Sequence, residues 1–274
     1  MKAHYTLLYD EHCPLCAWYT GLFLKTGMLN EKGRKAYQTI NSENYPNVDL
    51  ELAKNKIACI NQENGQVVYG IDSLLTILGQ RFPIIQKIGS WKVIHFLLDI
   101  LYNFISFNRK IFASTPKQEI ACNCEPSRSW TYRISFIVIF SFLTHFIVTA
   151  YFHQNLSNFL INNQVKDGYL LLAQLIVQFI AFKSFKQENA YDYLAHVCFV
   201  SFLGALGLAG GQLVLNLFTY FDQNTELLGS VFYGMVFMLM FFEHKRRVKN
   251  NKWTWKLSAT WILFRVVIYF IVFN

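Results

Sequence analysis

Two cysteines separated by two residues, Cys13 and Cys16 in the run YDEHCPLC, carry the plainest chemistry in this 274-residue sequence. A dithiol at that spacing can open and close a disulfide, provided one sulfur ionises near neutral pH. The continuation CPLCAWYTGLFLKTG predicts a helix with Cys13 near its N-cap, Pro14 at the first helical position and Cys16 one turn further in. Unpaired amides and the macrodipole at such a terminus stabilise a thiolate. Cys13 is expected to be the more exposed sulfur and to attack a substrate disulfide, after which Cys16 resolves the mixed disulfide. Asp10 has two readings: a buried carboxylate that accepts the proton of Cys16, or a cap on the turn before the helix. His12 reads as a solvated loop histidine.

Other reactive side chains are weaker candidates. Cys122 and Cys124, in CNCEP, could relay electrons to or from the first pair or stand as reduced linker thiols. Their single-residue spacing is poor for structural zinc, and no metal site is expected. Cys59 and Cys198 read as small buried hydrophobes. His145, His196 and Arg265, with Gln174 and Gln178, fall in apolar runs where polar groups are expensive and often functional. Two histidines on different helices could hold haem or contact a quinone; the alternative is hydrogen bonding between helices. No cofactor is expected beyond the redox dithiol.

The elements that must position Cys13 and Cys16 can be read around them. Residues 3–9, AHYTLLY, predict a buried strand, and the helix after Cys13 offers Trp18, Leu22 and Phe23 as an apolar face with Gly27 as its stop. KIACIN (56–61) and QVVYG (66–70) flank QENG and predict an antiparallel hairpin. A helix follows from Ile71 to Leu78, with Asp72 or Ser73 as cap. Residues 91–108 form a further amphipathic helix, at the domain's edge or against a membrane. Strand, Cys-x-x-Cys helix, middle segment, hairpin and helix is the order of an α/β thioredoxin-like domain.

The second half is a different material. The chain is 53% hydrophobic and 15% charged, against about a quarter charged in ordinary globular proteins. Residues 1–133 hold 15 Lys/Arg and 11 Asp/Glu, and residues 134–274 hold 10 and 6. Intrinsic disorder, a collagen-like fibre and a disulfide-dense miniprotein are excluded. Five spans are expected: from Ile134 over about 19 residues, Leu170 to about Phe185, Tyr193 to Phe221, Leu227 to Phe242, and Leu257 to Phe273. Together they predict an all-α transmembrane bundle. The +8 formal charge invites a nucleic-acid reading, but its densest run, HKRRVKNNKWTWK (244–256), lies between two apolar segments and fits a topology signal better. With five spans the basic loops fall on one side, which puts the N-terminal domain in the cytoplasm and Asn274 outside a bacterial-type inner or plasma membrane. No cleavable signal peptide is expected at the start.

YDEHCPLC, with a strand before and a helix after, resembles the DCC family of thiol-disulfide oxidoreductases, named for an Asp-x-x-Cys-x-x-Cys signature. The resemblance covers roughly residues 4–124, including the hairpin ending Tyr69-Gly70 and the helix ending Phe107-Asn108-Arg109. It implies a thioredoxin-like fold and maps the signature onto Asp10, Cys13 and Cys16. Glu11-His12 stand where many members have Gly, and no proline precedes the strand at 57–60, where thioredoxins carry a cis-proline lining the substrate groove. The expected organisation is a DCC domain at 1–115, a linker at 116–133 with Cys122 and Cys124, and a membrane domain at 134–274. The expected activity is membrane-anchored dithiol/disulfide exchange with a thiol or disulfide protein partner or electron donor. The bilayer and membrane-protein complexes are further expected partners; nucleic acid is not. The rival readings are a transmembrane redox relay through haem or quinone and a non-enzymatic scaffold with a docking domain.

Overall fold

In a computed structural model of the protein, residues 5–40, 45–116, 127–155, 164–219 and 225–273 are described. The first strand, β1 (Tyr5–Tyr9), carries Leu7 and Leu8 on opposite faces, and both are fully buried. A strand covered on both sides belongs in the middle of a sheet, and β1 is central. It pairs in parallel with β2 (Arg34–Ala36) and antiparallel with β3 (Ala58–Asn61), placing Leu7 opposite both Arg34 and Cys59. Next to β3 lies β4 (Val67–Tyr69), so the sheet order is β2-β1-β3-β4. The hairpin expected around QENG is present. The sequence does not predict β2: three residues, RKA, with two charges give no strand signal, and only pairing with β1 makes them one.

Alternation along the strands splits the core in two. Leu7, Cys59 and Ile57 pack with Phe23 of α1 (Pro14–Lys25) and Ile77 of α3 (Ile71–Gly79). On the other face Leu8, Ala58 and Ile60 pack with Tyr37, in a short 3-10 turn (Tyr37–Thr39), and Ala53 of α2 (Leu50–Asn55). Arg34 on β2 lies over the Tyr9 ring and donates to the Ala17 carbonyl and Thr20 Oγ1, which fixes α1 on the sheet.

Two local expectations are corrected. α1 buries Cys16, Thr20 and Phe23, while Trp18 and Leu22 face solvent, so the apolar face divides between core and surface. α3 is capped by neither Asp72 nor Ser73. Its N-cap is Gly70, at φ +63°, where an added Cβ would lie 3.3 Å from both Tyr102 and Lys56. The buried Ser73 hydroxyl instead donates to the carbonyls of Ile57 and Val68, tying the helix to the hairpin. Two more helices follow, α4 (Pro83–Gly89) and α5 (Lys92–Phe112), bent by 92° at their junction. The Tyr102 hydroxyl of α5 accepts the Ile57 amide at 2.9 Å, just before β3.

The chain divides into compact units at 1–132 and 133–274. The second unit is helical: the body of α6 (Trp130–Asn155), then α7 (Gln164–Ser184), α8 (Ala190–Thr219), α9 (Thr225–Asn250) and α10 (Lys256–Phe273). Its largest core cluster includes Phe182, Tyr193, Val197, Leu257 and Trp261. Among the described residues α6, α8 and α9 are long and apolar enough to cross a membrane; the apolar part of α7, Tyr169–Ser184, is shorter, and α10 is not among them. Three candidate spans thus stand where five were expected.

Replacing Tyr102 by Phe leaves the buried Ile57 amide without its acceptor. The loss is about 1–2 kcal/mol of local stability, so exchange of that amide should accelerate roughly 5–30-fold in hydrogen-exchange mass spectrometry. An unchanged rate would show that the hydrogen bond does not hold the start of β3.

Candidate active site

The turn from β1 into α1 is built by one carboxylate. Asp10 Oδ1 accepts the His12 amide at 3.1 Å and the Gln38 side-chain amide at 2.7 Å, and the Cys13 amide donates to the Asp10 carbonyl. Gln38 Oε1 receives the Glu11 amide from the other side of the turn. The chain leaves this turn with Cys13 extended, at φ −99° and ψ 108°, as N-cap of α1 with Pro14 next. Ser, Thr, Asp and Asn usually fill that position because an acceptor is needed for the first free amides. Here the acceptor is sulfur: Cys13 Sγ takes the Cys16 amide at 3.3 Å.

Arg109, near the end of α5, closes the site from beneath. Its Nη2 donates to Asp10 Oδ2 at 2.9 Å and to the Lys54 carbonyl at 3.1 Å, and both ion-pair partners are buried. One guanidinium thus ties the β1–α1 turn, α2 and α5 together. Its charge also acts on the thiols. The Cys13 pKa is lowered to about 7, mainly by the hydrogen bond from the Cys16 side chain, with the Cys16 amide and Arg109 helping against burial. The same side-chain hydrogen bond raises Cys16, and burial raises it further. Burial also holds the Tyr19 phenol well above its ordinary value and Tyr102 at about 12, so both stay neutral beside the dithiol.

Cys13 and Cys16 are free thiols, 5% and 7% exposed. The expected difference in exposure is therefore absent. What distinguishes the sulfurs is polarity: Cys13 is the acceptor at the helix terminus and Cys16 the donor one turn inside. His12 is half-buried beside Glu11, at 3.8 Å. Cys59 is buried in β3, and burial alone pushes its thiol to about 12. Cys122 and Cys124 lie outside the described residues.

The intramembrane candidates are not brought into one site. His145 is half-buried and pairs with Thr149 on its own helix, whereas His196 pairs with Arg247 of α9 at 2.9 Å. The Arg265 guanidinium lies over the Trp261 ring on the same helix. No group of three or more metal-ligating side chains exists among the described residues. A different polar chain runs through the bundle: the Tyr193 hydroxyl donates to Gln178 Oε1 and lies 3.2 Å from His244, whose Nδ1 lies 3.2 Å from Ser258 Oγ. His244 was missed because it opens a basic run that reads as a loop, and α9 instead carries it to Asn250. Arg109 and Gln38 were missed as site residues for another reason. Each lies far along the chain from Cys13; Arg109 left a trace in the Phe107-Asn108-Arg109 end of the family resemblance and in a polar stripe, Asn103, Ser106, Asn108 and Arg109, all buried on α5.

Residues 7–113 match the family described as DCC1-like thiol-disulfide oxidoreductase. The matched segment runs from β1 past the end of α5 and contains Asp10, Cys13, Cys16 and Arg109. Comparison with curated proteins found no match, and comparison with solved structures found none.

The opposed influences of Arg109 and Asp10 on Cys13 give a signed test. In pH-dependent alkylation of the full-length protein, the Cys13 midpoint should lie near neutrality in the wild type; Arg109→Gln should raise it by about one unit and Asp10→Asn lower it. Midpoints that stay put in both variants would remove the ion pair from the control of thiol reactivity.

Proposed function

We propose that the N-terminal unit is a thiol-disulfide oxidoreductase that acts through Cys13 and Cys16 and is anchored in a membrane by the helices that follow. The observation that carries this reading is the unequal pair of sulfurs: an N-cap thiol with a pKa lowered to about 7, over a buried cation, one helical turn from a thiol whose pKa is raised. The family match at residues 7–113 supports the reaction class.

The reaction follows from that inequality. The Cys13 thiolate attacks a substrate disulfide, forming a Cys13–substrate bond and releasing one substrate thiolate. Cys16 then attacks Cys13 Sγ, its proton passing to the second departing thiolate, and a Cys13–Cys16 disulfide remains. The substrate gains two electrons and the dithiol loses two; a thiol-bearing partner reverses the change. Asp10 acts here as a positioning residue, because both of its oxygens already hold the turn and Arg109. Pro14, Trp18 and Leu22, spaced i, i+4, i+8 along α1, form an exposed stripe beside the thiols, with Trp18 68% exposed. A flat apolar stripe of this kind suits a polypeptide substrate.

Sidedness follows from charge. If only α6, α8 and α9 cross, the run from Lys245 to Lys256 lies on the face opposite Arg128 and Arg133. If α7 and α10 cross as well, Lys183, Lys186 and the 245–256 run all join those arginines on one face. The positive-inside rule favours the second arrangement, with Lys183 reaching the interface along its stem. The dithiol then faces the cytoplasm, whose thiol pool keeps it reduced, and net electron flow is toward the substrate.

In cells, Cys16→Ser should accumulate mixed disulfides with partner proteins that dithiothreitol dissolves, and Cys13→Ser should form none. Adducts that persist in Cys13→Ser, or that are missing from Cys16→Ser, would overturn the assignment of nucleophile and resolving thiol.

A further inference from the structure

The helices α4 and α5 carry their side chains the wrong way round for a domain surrounded by water. On α5 the buried positions are mostly polar, Asn103, Ser106, Asn108 and Arg109, while the first half of the helix turns its apolar residues outward. His95 and Asp99 face the domain, bonded to Asp72 and to Lys56 and Asn103. Opposite them, Val93, Phe96 and Leu97 are 73%, 64% and 59% exposed, and Ile100 and Leu101 extend the stripe by a turn. Trp91 and Ile84 carry it across the bend onto α4 at 60% and 72%. Single exposed apolar residues need no explanation, but a continuous patch of this kind marks an interaction surface.

Charge and tethering point to one occupant. Between Ser73 and Leu98 the chain has no Asp or Glu, and its charged residues are Arg81, Lys87 and Lys92. An apolar helical face rimmed by cations and bearing a tryptophan is the pattern of a helix lying in a bilayer interface. The far end of α5 is tied to the start of α6: Phe107 stacks on Tyr132 at 5.0 Å, and Asn108 donates to the Tyr132 carbonyl. Asn55 exchanges two hydrogen bonds with Ser127, just before α6. These contacts lie within the first unit, which ends at Tyr132 in the first turn of α6. A 92° bend after the seven residues of α4 makes this pair poor as a straight crossing and well shaped for lying flat.

We propose that α4 and the first half of α5 form an interfacial anchor, with Ile84, Trp91, Val93, Phe96 and Leu97 in the acyl boundary and Lys87 and Lys92 among anionic headgroups. The inference rests on the membrane anchoring proposed above and not on the thiol chemistry. It fixes the dithiol domain at the bilayer surface, so its substrates are disulfides presented close to the membrane.

Photo-crosslinking of the full-length protein tests it. Benzoylphenylalanine is placed singly at Val93, Leu97, Val138 of α6, and Glu63 in the hairpin turn, in vesicles of phosphatidylethanolamine and phosphatidylglycerol. Val93 and Leu97 should form lipid adducts at about ten times the Glu63 yield, approaching Val138. Replacing phosphatidylglycerol by phosphatidylcholine should lower the yields at Val93 and Leu97 and leave Val138 unchanged. Links from Val93 or Leu97 to residues 133–274, or to a second copy of the chain, would overturn the proposal by giving the face another occupant. Lipid adducts at Val138 with only background at Val93 and Leu97 would overturn the anchor alone, and silence at all three would overturn the membrane reading with it.

Discussion

A single ion pair between residues 99 positions apart, Asp10 and Arg109, holds the dithiol in place. Buried charges are costly to desolvate, and further hydrogen bonds offset that cost. The carboxylate takes the His12 amide and Gln38, and the guanidinium donates to the Lys54 carbonyl, while its Nε has no partner among the described residues. Removing one partner from a pair like this costs about 3–5 kcal/mol. The β1–α1 turn and α5 therefore depend on one another for stability.

The unequal acidity of the two thiols comes mainly from the hydrogen bond between them, with the ion pair a smaller influence. Cys13 and Cys16 are equally buried, so exposure does not tell them apart. Direction does. The N-cap sulfur receives hydrogen bonds from Cys16 and sits where α1 presents its free amides, while Arg109 adds a positive charge that solvent screens only weakly. Trp18 and Leu22 face outward from α1, while Cys16, Thr20 and Phe23 face the core.

Much of this was legible in the sequence where the signal is local. Pro14 after Cys13 predicted the N-cap, aromatic and β-favouring residues predicted β1, two runs flanking QENG predicted the hairpin, and Gly27 at φ +66° marks the end of α1 as expected. What sequence reasoning missed depends on long-range partners. Arg34-Lys35-Ala36 becomes a strand only beside β1, Arg109 becomes a site residue only when α5 crosses under the turn, and Gly70 caps α3 at a positive φ that strains any side chain, with Tyr102 and Lys56 close by. The expected exposure of Cys13 is not met, since both sulfurs are buried. In the second half, hydropathy located the helices, but it did not pair His244 with Tyr193 and Ser258, a relation made by three helices packing together.

The central claim is that Cys13 and Cys16 form one reversible redox couple. Equilibrating the full-length protein with glutathione buffers of graded potential, then counting free thiols by mass spectrometry, tests it most directly. The account predicts a single two-electron transition, close to 30 mV per tenfold change in ratio, confined to the peptide carrying Cys13 and Cys16. Thiols that remain reduced throughout, or that couple elsewhere when Cys13 is replaced by serine with the transition unchanged, would contradict it.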